Sequence, residues 1–493
     1  MTGNSLVPFD RFSALLAETV ANPIAVPQTA LVSATIGLFL VLAFAFTAAG
    51  SKRSALWWLG ALLHGAAGIA LPFTTNIFTF FVVWELVTVG AGILLTQEPD
   101  ARRLLRGYLP MQLFAAAALL ASFSLHYRAA GTTSLEALGA GISGGPAATA
   151  TAFLAVGIKA AIIPVHIWMT RTYPRVRPAT TVVLSAVATK IGVFGIYRLV
   201  TPGVALELLG ATMAVLGVIY ALRQHRLRPF LAFHVISQIG YMTAGVGSLA
   251  LGAQAGGLYH LAGNIVYKGL LFMVAAGLMA LRGHDDMYRM NGIGRTRPAL
   301  LGAGLTGSLA IAGVPPFNGY ISKCAIESSL HSDAAVWLLI IAGIGTAASF
   351  SKFMWYSFLK PSPSAGMDEA MSWRGAGGRE TIMAILCLLC LVAGLAPQIF
   401  FPPLPTDACV TLASFGPSGL LAPLAGVALF ASGFRYLRPW LERLPSVTLI
   451  TRPLYRTTCR LLEALQEPHT GEIRRYIGWI LFGLVVLWSA AIL

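Results

Sequence analysis

The sequence predicts an all-α protein that crosses a membrane many times. Three observations carry that prediction. The 493 residues are 56% hydrophobic with a mean hydropathy of +0.74, and only 11% are charged; a soluble chain carries roughly 25% charged residues. The apolar residues gather in runs close to the ~20 residues that a helix needs to cross the hydrocarbon. The basic residues between those runs alternate from one side to the other.

In chain order, fourteen runs qualify: 28–50, 55–72, 77–97, 107–126, 147–169, 179–200, 204–222, 229–250, 257–281, 298–327, 335–358, 380–400, 418–434 and 476–493. With the N-terminus outside, alternate connections hold 2, 3, 3, 3, 4, 4 and 8 Lys or Arg. They are Lys52–Arg53, Arg102–Arg106, Arg171–Arg177, Arg223–Arg228, Arg282–Arg297, Lys352–Arg379 and Arg435–Arg475. The opposite side holds only Arg11 and Arg128, and Lys159, Lys190, Arg198, Lys268 and Lys323 fall within runs. Cytoplasmic loops collect Lys and Arg, so the pattern predicts basic loops in the cytoplasm of a bacterial inner (plasma) membrane, with both termini outside.

That topology accounts for the net charge of +15, which in a soluble chain would point to nucleic acid. The five cysteines match neither a disulfide framework nor a zinc pattern, and Cys387 and Cys390 read as small packing residues in an apolar run. The N-terminal MTGNSLVPFDRF lacks a basic stretch leading straight into an apolar core, so no cleaved signal peptide is expected. The Arg-rich stretch 435–475 mixes Arg with Leu, Trp and Tyr. It suits an amphipathic helix at the interface, anchored on anionic lipid or braced along a neighbouring subunit, and broken at its prolines. No metal site and no cofactor site is expected.

The residues most in need of explanation are the charges inside the runs. An ionisable side chain at mid-membrane costs at least a few kcal/mol and marks an ion or substrate path by default. Lys159 and Lys190 lie mid-run on consecutive spans, too deep to snorkel easily to the interface. Glu85 sits mid-run in FFVVWELVTVGAGILL, with His64, read as a packing histidine, at similar depth on the preceding span. His234, with Ser237 and Gln238, falls just below the cytoplasmic end of the eighth run. In the ninth, His260, Asn264 and Lys268 recur at i, i+4 and i+8, which puts them on one helical face.

Two runs should be broken. Pro164 follows Lys159 by little more than a turn. In GVPPFNGYISK, Pro315, Pro316 and Gly319 interrupt the helix before Lys323. The topology makes these two runs antiparallel. Broken, lysine-bearing helices in two oppositely directed halves indicate an inverted repeat around a mid-membrane ion site.

The pieces FFVVWE, GIKAAIIPVHIW, LSAVATKIGVFGIYR, LAFHVISQIGYM, LYHLAGNIVYKGLLFM and AGVPPFNGYISK occur in that order over about residues 55–330. In them the chain resembles the antiporter-like membrane subunits of respiratory complex I, Mrp-type cation/proton antiporters and energy-converting hydrogenases. The resemblance implies two inverted five-helix repeats with two discontinuous helices, at 55–200 and 204–358. Residues 1–54 would hold an N-terminal segment and first helix, 359–434 additional helices, 435–475 the amphipathic segment and 476–493 a C-terminal helix.

It also implies a proton path in which Glu85 and Lys159 form a carboxylate–lysine pair. Lys190 would lead inward, His260 and Lys268 would connect to Lys323, and His234 would stand by the cytoplasmic entrance of the second half. Asn264 departs from the family, standing where many members have a second histidine. The expected partners are other membrane subunits, lipid, protons and, as a candidate second ion, Na⁺. The chain itself would hold no redox or hydrolytic site, although its complex could be a quinone oxidoreductase or a hydrogenase. The competing expectation is a proton-conducting subunit that energises a soluble partner, for example in inorganic-carbon uptake.

Overall fold

The computed structural model describes residues 27–135, 141–361, 376–401, 404, 417–445 and 478. The expected N-terminal segment, most of the Arg-rich stretch and the C-terminal helix lie outside these residues. Seven helices make up the first part: α1 Pro27–Gly50, α2 Ala55–Ala70, α3 Ile77–Thr96, α4 Ala101–Ala130, α5 Gly145–Ala160, α6 Ile167–Thr172 and α7 Pro178–Leu199. Apart from the single turns Ile293–Thr296 and Pro397–Phe400, six follow: α8 Val204–Arg223, α9 Leu227–Val246, α10 Leu251–Arg282, α11 Pro298–Ala312, α12 Asn318–Glu327 and α13 Asp333–Met354. The last described helices are α14 Ala376–Leu395, α15 Pro417–Ala428 and α16 Phe434–Arg443.

Among the described residues there is no strand beyond two isolated bridges, and 10 helical segments are long and apolar enough to cross a membrane. Every expected run through 418–434 carries helix, and the run at 476–493, residue 478 apart, lies outside the described residues. The fourth and ninth runs form helices that extend beyond their expected bounds, α4 over Ala101–Ala130 and α10 over Leu251–Arg282; α4 gains the basic turn ARRLLR, and α10 gains the uncharged LGAQAG. The run at 147–169 is two helices, α5 and α6, and the run at 298–327 is α11 and α12.

The order of lengths from α2 to α7 recurs from α8 to α13: a 16- or 20-residue helix, one of 20, one of 30 or 32, a broken pair, and one of 22. The connections recur with it. Before α3 and after α4 the backbone is clipped by Ile77 N–H to Thr133 O (2.9 Å) and Leu135 N–H to Thr75 O (2.7 Å). Before α9 and after α10 the same clip is made by Leu227 N–H to Asp285 O (2.7 Å) and Met287 N–H to His225 O (2.9 Å). The long helices α4 and α10 both stop at a left-handed glycine, Gly131 and Gly283, the usual way to end a helix without a Cβ penalty.

A buried carboxylate staples the connections of each part. Glu98 accepts from Thr180 Oγ1 (2.5 Å) and from the Arg177 backbone N–H (2.8 Å), and Trp57 Nε1 donates to the same Thr180 hydroxyl at 3.0 Å. Arg53 sits close by, its guanidinium shifted below its ordinary value by burial and by Arg177, with Glu98 opposing. In the second part Glu207 accepts from Ser248 Oγ (2.6 Å), Ser332 N–H (3.0 Å) and His331 N–H (3.4 Å). Hydrogen bonds to a charged acceptor contribute about 1.5–3 kcal/mol each, enough to fix how the loops meet.

Helix α7 is the shared wall: every residue from Ala179 to Leu199 is buried. It packs against α5 where Gly192 meets the backbone of Ala160 and Lys159, a position at which any Cβ would overlap those atoms.

Three details correct the sequence reading. Gly319 is not at a break; the second interruption runs from Gly313 to Phe317, and Gly319 lies inside α12, where a side chain would strike the Ala310 carbonyl of α11. Pro439 does not break the amphipathic stretch, since α16 continues through it. Cys324 is disulfide-bonded, whereas Cys387 and Cys390 are free.

A buried line of charge through two broken helices

Each broken helix ends in the same way. Helix α5 terminates at Ala161 (φ 61°) and α11 at Gly313 (φ 78°), and a cis X–Pro bond follows three residues later, Ile163–Pro164 in one and Pro315–Pro316 in the other. A helix that stops inside the protein leaves carbonyls without intrahelical partners. After the first break, Trp168 Nε1 returns to donate to Ile158 O at 2.6 Å. After the second, Lys323 Nζ returns to donate to Ile311 O at 2.9 Å.

Lys159 occupies the last turn of α5, where the helix dipole favours a cation. It is buried, its Nζ donates to Thr88 Oγ1, and it lies 4.8 Å from the centre of the Trp84 ring. Thr88, Trp84 and Glu85 all come from α3, and Glu85 acts electrostatically on Lys159. Glu85 and Lys159 thus lie within electrostatic reach of each other. His64 is also within electrostatic reach of Lys159, and its Nδ1 faces the Val87 carbonyl at 2.8 Å.

Lys190 stands on α7 between the two parts, fully buried and with no hydrogen-bond partner among the described residues. Its charge reaches both His260 and Lys268 on α10. Lys268 is also buried without a hydrogen bond among the described residues, 5.6 Å from the Phe272 ring. His260 lies at the centre of a polar cluster, with Nδ1 against Ser322 Oγ (2.8 Å) and Nε2 against Gln238 Oε1 (3.1 Å) and the Tyr267 hydroxyl (3.2 Å). Asn264 completes the cluster by donating to that hydroxyl at 3.1 Å. Lys323 lies 4.6 Å from the Tyr241 ring and interacts with Glu327 one turn on.

His234, expected by the cytoplasmic entrance of the second half, lies inside the protein. It is fully buried, bonded to Ser349 Oγ at 2.6 Å, and within electrostatic reach of Lys268, Lys323 and Lys352 together. Lys352, counted above with a cytoplasmic loop, is a buried residue of α13. Its Nζ donates to Leu222 O (2.6 Å) and Gln224 O (2.7 Å). Thr88, Ser322, Tyr267, Glu327 and Lys352 were not singled out in the sequence. Helical spacing offered a signal for three of them: Thr88 is i+3 from Glu85, Glu327 is i+4 from Lys323, and Lys352 is i+3 from Ser349.

Together these residues belong to a polytopic membrane protein that carries buried ionisable groups on both broken helices and on α3, α7, α9, α10 and α13. The chain belongs to the family described as NADH:quinone oxidoreductase/Mrp antiporter, transmembrane region, whose model matches residues 74–349. It is 28% identical over 337 residues to an Na(+)/H(+) antiporter subunit of Alkalihalophilus pseudofirmus, covering 64% of this chain and 68% of that one. It is 26% identical over 377 residues to hydrogenase-4 component B of Escherichia coli, covering 68% of this chain but only 56% of the relative. Its fold is similar to a chain of the Mrp complex from Dietzia sp. DQ12-45-1b, with a TM-score of 0.68, 22% identity, and coverage of 84% and 85% of the two chains.

Proposed function

We propose that this chain is a proton-translocating subunit, of the cation/proton antiporter type, in a multisubunit complex of a bacterial plasma membrane. The observation that carries the reading is the succession Glu85, Lys159, Lys190, Lys268, His260 and Lys323, all buried, with Lys190 and Lys268 held without hydrogen bonds among the described residues. Unpaired buried ammonium groups are costly to keep, and a line of them is what proton relay requires. Relatives named as antiporter and hydrogenase subunits support membrane-subunit partners.

The two halves, 55–200 and 204–358, are read as inverted repeats. Five successive spans reverse the direction of the sixth, and the recurring clips, stops and breaks support the pairing of α2–α7 with α8–α13. The disulfide at Cys324 fits an outward-facing end for α12, since disulfides persist in oxidising compartments. Burial disfavours the charged lysine and a nearby carboxylate favours it, so movement of Glu85 relative to Lys159 would switch the lysine between holding and releasing a proton.

The test is proton pumping by the purified complex in proteoliposomes, with wild-type chain and with Lys159→Ala. The reading expects loss of proton coupling with assembly intact. Coupling at the wild-type level in an assembled Lys159→Ala complex would overturn it.

A further inference from the structure

Arg198 and Lys352 hold the same place in the two halves. Each lies within the last turn of a 22-residue helix that closes its half, α7 and α13. Each is buried and donates to carbonyls at the end of its half's first helix. Arg198 reaches Pro72 O (3.3 Å) beyond α2 and also Leu135 O (3.1 Å), while Lys352 reaches Leu222 O and Gln224 O at the end of α8. A cavity also lies near each, lined by Arg198 itself in the first half and by neighbours of Lys352's partners in the second. Arg198 lines one of about 220 Å³ with His126, Thr132, Ser134 and Ser143. Behind Lys352 lies one of about 470 Å³, lined by Arg223, His225, Tyr288, Arg438 and Glu442.

Lys352 is joined to that cavity by its own contacts. It bonds the carbonyl of Gln224, which lies between the lining residues Arg223 and His225, and it is 5.6 Å from the ring of Phe434, on the helix that carries Arg438. On the inner side, Ser349 precedes it by one turn of α13 and bonds His234. His234 in turn lies within reach of Lys268 and Lys323.

The two cations differ in one chemical respect. A guanidinium does not give up its proton in a protein, whereas an ammonium can. We infer that Lys352 is the proton-carrying residue that links the cavity at Arg223, His225 and Arg438 to His234, and that Arg198 closes the corresponding end of the first half with a fixed charge. In the step, a proton from cavity water joins the neutral Lys352 amine. The same ammonium then releases a proton inward towards Ser349 and His234, so the lysine returns to its starting state and no other bond is made or broken. The inference rests on the proton-translocating reading of the chain.

The experiment compares Lys352→Arg, Lys352→His and Lys352→Gln with Lys159→Ala in the same reconstituted complex. Arginine keeps the charge and the carbonyl bonds but cannot cycle a proton, so Lys352→Arg should lose at least tenfold in pumping rate while the complex assembles and melts as wild type. Histidine can cycle, so Lys352→His should exceed Lys352→Gln by tenfold or more, a comparison that decides the matter if the arginine variant does not accumulate. Lys352→Arg within twofold of wild type, or His and Gln variants alike, overturns the inference. If Lys159→Ala still abolishes pumping, the broader reading survives that failure; if Lys159→Ala also pumps normally, both fall.

Discussion

Lys323 bridges the break in its own membrane segment: carried on α12, its Nζ donates to the carbonyl of Ile311 on α11, 2.9 Å away. The same ammonium therefore holds the two half-helices together and satisfies a carbonyl that the break leaves exposed. Loss of the side chain should act on both roles. Lys323→Met is expected to cost about 1–3 kcal/mol through the unpaired Ile311 carbonyl and to lower proton pumping roughly 10²-fold. Thermal melting of the detergent-solubilised complex and pumping in proteoliposomes measure the two effects separately. A variant that melts early but pumps normally would leave Lys323 a purely structural clamp.

Thr88 presents the hydroxyl that receives the Lys159 ammonium. Thr88→Ser keeps that acceptor and should pump as wild type. Thr88→Val keeps the shape and removes the acceptor, leaving a buried charge short of a partner at a cost of about 1–3 kcal/mol. Pumping should fall about tenfold for the valine variant, since 1.4 kcal/mol corresponds to a factor of ten. Equal rates for serine and valine would show that the Thr88 bond does not matter to Lys159.

Glu98 is bound by Arg177 and Thr180 at the start of α7. Glu98→Gln should lower stability by about 1–3 kcal/mol and leave the pumping rate per assembled complex unchanged. Melting and a rate normalised to assembled protein distinguish this from a role in transport.

Gly192 lets α7 approach α5 at the level of Lys159. Gly192→Val should prevent that approach and cost several kcal/mol by overpacking. Little assembled complex is expected in the membrane fraction, and normal assembly would mean that α5 can shift aside.

Much of this was readable in the chain because its signals are local. Pro164, Pro315 and Pro316 each lack a backbone N–H and crowd the preceding turn, so the breaks were marked by residue type next to the buried lysines. Lys159 and Lys190 sit far from any run end, so their burial followed from counting residues. The surroundings of His234 were harder to read, because they depend on α13 bringing Ser349 and Lys352 towards it, a packing relation that no sequence window contains. Lys352 was misjudged for a related reason. It falls near the end of an apolar run and is followed by Lys360, so it looked like the first charge of a loop; only the carbonyls of Leu222 and Gln224, more than a hundred residues earlier, draw it into the protein. Pro439 and Gly319 show the opposite error, in which a residue known for ending helices lies inside one.

The complete burial of α7 has a consequence for how the protein responds to its membrane. Helices with an exposed face can adjust their tilt when bilayer thickness changes, at a modest cost per ångström of mismatch. Helix α7 has no such face, so its height is set by its protein neighbours on every side. The level of Lys190 relative to Lys159 and Lys268 should therefore stay constant between short-chain and long-chain lipids, and any thickness dependence of transport should arise in the peripheral helices rather than along this central row.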